Sequence, residues 1–156
     1  MNNSSNDQVK SINDLTQALT KAELICQNSG KMLTPLRREI LQLILGSAKP
    51  VKAYAILAEL KAKKLSDKPI TVYRVLDFLR AHHLIHKIDS LNAYAACRHP
   101  EKKLDCYFLI CQKCQAIKEC CNQAIDQAIL RTVTKSKFTI KHVTLEISGI
   151  CEACYN

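Results

Sequence analysis

Cys111-Gln112-Lys113-Cys114 and Cys151-Glu152-Ala153-Cys154 are two CxxC pairs with 36 residues between them. Two residues between cysteines let one tight turn aim both sulfurs at a single ion, and two such turns complete a tetrahedron of thiolates around Zn²⁺. Four thiolates leave no position open for water or substrate, so the expected role is structural, a clip fastening the end of the chain to the region around Cys111. The chain holds nine cysteines, seven of them after residue 100. An odd count leaves at least one thiol outside any all-disulfide scheme. The polar N-terminus MNNSSNDQVKSIND lacks the apolar segment of a secretory leader, so a cytoplasmic chain is expected. In that setting cysteine-rich spacing more often means metal than disulfides.

A second group of possible ligands is His86, Cys97, His99, Asp105, Cys106, Glu119, Cys120, Cys121 and His142. A lone His is more often a hydrogen-bonded surface group than a ligand, and a free Cys usually packs as a small hydrophobe. Location singles out four of these residues. His86 and Cys97 fall on two strands of an expected hairpin, and Cys106 and Glu119 fall at the start of a second domain, so an ion among them would join the domains. A mixture of S, N and O ligands suits Zn²⁺ better than a hard, oxygen-preferring cation. No nucleophile, base and orienting residue form a recognisable set, and no Gly-rich phosphate loop exists. An enzyme and an organic cofactor are therefore not expected.

The elements that position these residues follow from periodicity and punctuation. Residues 1–14 read as a flexible leader. Leu15, Leu19, Ala22 and Cys26 share one side of a helix that Gly30 stops; Thr34 can cap and Pro35 can begin a second helix, buried through Leu36, Ile40, Leu43 and Ile44. A third helix spans about Lys52 to Lys64, with Ala53, Ile56, Leu57 and Leu60 at helical spacing. In the fourth, after Pro69, Val72, Val75, Leu76 and Leu79 share a face, leaving Arg74 nearly opposite and Tyr73 on the flank. Two short strands, Leu84 to Asp89 and Asn92 to Cys97, surround a turn at Ser90-Leu91. Helices followed by a hairpin make a winged helix-turn-helix over residues 15–97, whose last helix enters the major groove of DNA. Residues 98–103 read as a hinge. From 104 to 156 a small α/β unit is expected, with strands at Leu104 to Ile110, Ala116 to Glu119 and Phe138 to Ile147, and a helix at Asn122 to Thr134. The fold class is α+β.

Charge agrees with a polyanionic partner. Lys and Arg number 23 against 14 Asp and Glu, formally +9. Residues 1–97 carry 14 basic and 8 acidic side chains, and residues 98–156 carry 9 and 6, so most of the excess lies in the first half. No apolar run approaches the length of a membrane span.

At this point the chain resembles the ferric uptake regulator (Fur) family, most closely its zinc uptake regulator branch. The matching residues are Leu33-Thr34-Pro35-Leu36-Arg37, the segment from Thr71 to Leu79, His86-Lys87-Ile88, Tyr94 through Cys97, Phe108 through Cys114, Ile117-Lys118-Glu119, and Cys151 with Cys154. The resemblance implies a homodimeric, metal-dependent transcriptional repressor of metal-uptake genes. It implies a C-terminal dimerisation domain, Tyr73 and Arg74 on the DNA-reading helix, and structural zinc on Cys111, Cys114, Cys151 and Cys154. It also implies a regulatory zinc at the hinge, with His86, Cys97 and Glu119 among its ligands.

A further loop histidine of that branch has no direct match. Seven residues before Cys111 stands Leu104, which cannot coordinate. Cys106 is the preferred fourth ligand and His99 its competitor, with water as a third option. The reduction of the usual histidine-rich segment to Leu104-Asp105-Cys106-Tyr107-Phe108 weakens iron-, manganese- and peroxide-responsive alternatives. A zinc-stabilised protein-interaction module is the alternative from another class. On a palindromic operator, Arg74 is expected to contact guanine and Tyr73 a thymine methyl or phosphate, beside Thr71. Lys52, Lys61, Lys68 and Arg80 would supply general attraction to double-stranded DNA. An i,i+3 ion pair with Asp77 is the rival role for Arg74.

Overall fold

Gly30 and Pro35 punctuate the first helices as their backbones dictate. The computed structural model describes residues 12–101, 106–140 and 143–155. The chain divides into two compact units, Met1–Glu101 and Lys102–Asn156. Helix α1 covers Ile12–Asn28, beginning inside the stretch expected to be leader; residues 1–11 lie outside the described residues. Gly30 adopts φ +68°, which lets the Lys31 N–H donate back to the Cys26 carbonyl at 2.9 Å and ends the helix. Pro35 opens α2 (Pro35–Leu45). Thr34 makes no side-chain capping bond, contrary to expectation; its carbonyl accepts from the Arg38 N–H instead, and Pro35 has already removed one amide that a cap would serve.

Helices α3 (Ala53–Ala62) and α4 (Pro69–Ala81) complete the helical part. Leu19, Ala22 and Cys26 of α1, Ile40, Leu41 and Ile44 of α2, Ile56 and Leu60 of α3, and Val72, Val75, Leu76 and Leu79 of α4 form one buried cluster with Leu84, Ile85 and Tyr94. Cys26 has no exposed surface and packs as a small hydrophobe, and burial pushes its thiol up from the usual range. The wing consists of β1 (Ile85–Ile88) and β2 (Ala93–Ala96), antiparallel, with Ile85 opposite Ala96 and His86 opposite Ala95. Its turn is a short 3-10 segment closed by Asn92 at φ 45°. Val51 bridges to Tyr94 through reciprocal 2.8 Å bonds and ties the wing to the segment between α2 and α3.

In the second unit, β3 (Tyr107–Cys111) is the central strand, antiparallel to β4 (Ile117–Cys120) and parallel to β5 (Glu146–Gly149). Helix α5 (Gln123–Lys135) starts at Asn122, whose side chain accepts from the Ala124 N–H at 2.9 Å. The expected strand start at Leu104 and Asp105 lies outside the described residues, as does His142. The long strand expected from Phe138 is corrected to the four residues of β5, because β3 offers pairing partners only from Phe108, opposite Glu146, to Cys111, opposite Gly149. Phe138 is 70% exposed.

Candidate functional site

Each CxxC pair sits where a strand stops. Cys111 ends β3 and its N–H is held by the Ala116 carbonyl at 2.9 Å, while Gln115, at φ 60°, folds its own N–H back to the Cys111 carbonyl at 2.9 Å. The resulting knuckle points Cys111 and Cys114 the same way. The second pair follows β5 on a single 3-10 turn, with the Cys154 N–H donating to the Cys151 carbonyl. Lys113 Nζ reaches across to the Cys154 carbonyl at 2.9 Å, and the Gln112 N–H bonds the Gly149 carbonyl at 2.9 Å, so the two turns are laced together.

All four sulfurs lie within 4.8 Å of one another. Cys114 and Cys151 Sγ are 3.7 Å apart, matching the edge of about 3.8 Å in a tetrahedron with Zn–S near 2.3 Å. The residues present fit a tetrathiolate zinc. Amides of Cys114 and Cys151 aimed at Cys111 lower its thiol to about 6. The neighbouring thiols act the other way on the second turn: Cys151, above all, pushes Cys154 up to about 12, and Cys111 raises Cys151. Without an ion the cluster supports few negative charges; a divalent cation supplies the compensation that lets all four ionise.

On α4 the stripe Val72, Val75, Leu76 and Leu79 is buried, which turns Tyr73 (49% exposed) and Arg74 outward. Asp77 pairs with Arg80 at 3.9 Å, so the rival ion pair expected for Arg74 is absent among the described residues. Thr71 is half-buried near the start of the helix, and Lys52, Lys61 and Lys68 are exposed; the Lys52 ammonium lies 6.0 Å over the Tyr54 ring. A cationic face with an outward Arg and an outward Tyr is the chemistry of groove recognition.

At the root of the wing, the Cys97 N–H donates to the Leu84 carbonyl at 3.0 Å, extending the β1–β2 register by one rung. That rung makes His86 a diagonal, same-face neighbour of Cys97, and a ring nitrogen of His86 lies within 4.8 Å of Cys97 Sγ. In the second unit, Glu119 is half-buried on β4, opposite Phe108.

A family model described as the ferric uptake regulator family matches residues 28–148. The chain belongs to that family. Among curated relatives, the zinc uptake regulation protein of Escherichia coli is 34% identical over 139 residues, covering 88% of this chain and 81% of that protein. The peroxide operon regulator of Bacillus subtilis is 27% identical over 128 residues, covering 82% of this chain and 87% of that protein. A solved zinc uptake regulator complexed with zinc and DNA superimposes with a TM-score of 0.86 at 33% identity, covering 93% of this chain and 96% of that one.

Within this ferric uptake regulator fold, the two preferred candidates for a fourth regulatory ligand have acquired partners. His99 is half-exposed beside Glu101, Nδ1 to carboxylate 3.9 Å, and Glu101 also pairs with Lys21 at 2.7 Å, which holds its carboxyl below the usual range. Cys106 is bonded to Cys121. That pairing was missed in the sequence, where only the register of β3 on β4 could have revealed it. Among the described residues, no helix is long and apolar enough to cross a membrane.

Proposed function

We propose that the chain is a zinc-responsive, homodimeric repressor of metal-uptake genes, acting in the cytoplasm on a palindromic operator with zinc as corepressor. The observation that carries this reading is the His86–Cys97 pair at the root of the wing: an imidazole nitrogen and a thiol sulfur within 4.8 Å, on the unit that presents Tyr73 and Arg74, while four further thiols of the second unit are grouped to suit an ion of their own. The identity to a zinc uptake regulation protein and the likeness to a regulator complexed with zinc and DNA support the same metal and the same polyanion.

In this reading Cys111, Cys114, Cys151 and Cys154 hold a permanent ion. His86, Cys97 and Glu119 are the regulatory ligands, joined by Cys106 when it is a free thiol, or by His99. Bound there, zinc supplies a cross-link between ligands from both domains. His86 and Cys97 then orient the winged helix through a hinge at residues 98–103. A two-fold dimer fits a near-palindrome only when its reading helices match the groove repeat, so restricting the hinge raises the competent fraction. The exposed apolar side chains Leu109, Leu130 and Ile147 of the second unit suit contact with a second copy. Titrating operator DNA at controlled free zinc tests the proposal: Cys97→Ser is expected to remain a folded dimer and lose zinc-dependent binding, and a full zinc response in that variant would reject the regulatory assignment.

A further inference from the structure

Tyr107 faces Cys120 across the β3–β4 pair, so Cys106 and Cys121 form the next rung of the same ladder. Their Cα atoms are 4.5 Å apart, the spacing of a non-hydrogen-bonded antiparallel pair, where side chains approach most closely. The backbone therefore delivers the two sulfurs to each other without rearrangement, and the structure joins them. Glu119 precedes Cys121 by two residues and shares its face, with a carboxylate oxygen within 4.8 Å of both sulfurs. Cys121 is exposed and Cys106 half-exposed, so small thiols and disulfides can reach the pair. Exposed disulfides are the labile ones, whereas buried Cys26 in the other unit is out of reach.

We infer that Cys106 and Cys121 are a thiol–disulfide switch on the regulatory ligand set, answering to low-molecular-weight disulfides such as oxidised glutathione. This rests on the reading of Glu119 and Cys106 as regulatory ligands. The thiolate of the more exposed Cys121 attacks the small disulfide, forming a mixed disulfide and expelling one small thiolate. The other cysteine attacks that mixed disulfide, closes the Cys106–Cys121 bond and expels the second. The two cysteine sulfurs together give up two electrons, the small disulfide takes them, and the two released small thiolates take up protons from water according to the pH. Closing the bond turns a thiolate beside Glu119 into a neutral sulfur, and the regulatory ion loses a ligand. Excess reduced glutathione reverses the exchange.

The full-length protein, loaded with zinc, is equilibrated in glutathione buffers from reduced to oxidised. Alkylation with fragment mass spectrometry reads the Cys106–Cys121 bond, metal analysis reads zinc per chain, and operator binding is followed in parallel. Bond closure is expected to lower bound zinc by one ion per chain, reversibly, while Cys121→Ser keeps its zinc and its operator binding in every buffer. The switch is overturned if no bond forms, if zinc is unchanged when it forms, or if Cys121→Ser loses zinc in the same buffers. The regulatory reading itself is judged separately, by whether the fully reduced protein binds operator in proportion to free zinc.

Discussion

The first unit is held by a continuous apolar core drawn from four helices and the wing, whereas Phe108, Ile110 and Cys111 are the buried side chains of the second among the described residues. A unit that small on apolar burial needs a staple, and one of its three buried side chains is itself a thiol of the four-cysteine cluster. Helix α5 buries none of its residues, and Leu130 is 55% exposed. The helical unit thus closes a core of its own, while the second unit buries little and leaves α5 with no buried residue.

Removing one thiolate tests this contrast most severely. Structural zinc in small domains contributes about 10–16 kcal/mol at neutral pH, so Cys114→Ser is expected to abolish the dimer and unfold the second unit, leaving the helical circular dichroism of the first. A normally folded dimer would show that the cluster is not the staple. The converse variant is Leu76→Ala, which deletes a fully buried side chain of α4 and is expected to cost about 2–5 kcal/mol in denaturant unfolding of the helical unit, with zinc still retained by the four cysteines. Loss of zinc in that variant would mean that the units are not independent in stability.

Acid should act on the second unit first. Above about pH 6 Cys111 is already a thiolate, but Cys151 and Cys154 have raised values, so zinc must displace their protons. Each displaced proton makes affinity rise tenfold per pH unit. Competition with a chelator should therefore show zinc tightening by roughly 100-fold or more per unit between about pH 7 and 8, and weakening equally on acidification. A pH-independent affinity would contradict the protonated resting cluster. The smallest effect belongs to the reading face. Arg74→Ala should weaken specific operator binding by about 1–3 kcal/mol and relax sequence preference without changing either unit's stability; unchanged preference would remove Arg74 from base contact.

Features governed by near neighbours were legible in the sequence. The doubled CxxC, Gly30 as a helix stop, Pro35 at a helix start and the stripe of α4 each depend on a few adjacent residues, and the stripe fixes which way Tyr73 and Arg74 point. What escaped depends on pairing across the fold. The Cys106–Cys121 bond requires the β3–β4 register, the start of β5 at Glu146 is set by where β3 offers an edge, and Asp77 chose Arg80 over Arg74.

Cys26 carries a practical consequence. Its sulfur is sealed among α1 and α2 side chains with no exposed surface, and burial holds it in the protonated, unreactive form. A thiol-specific label can therefore reach it only during transient opening, and its labelling rate clocks the breathing of the helical bundle, while Cys97 reports on the root of the wing and the other seven cysteines on the second unit.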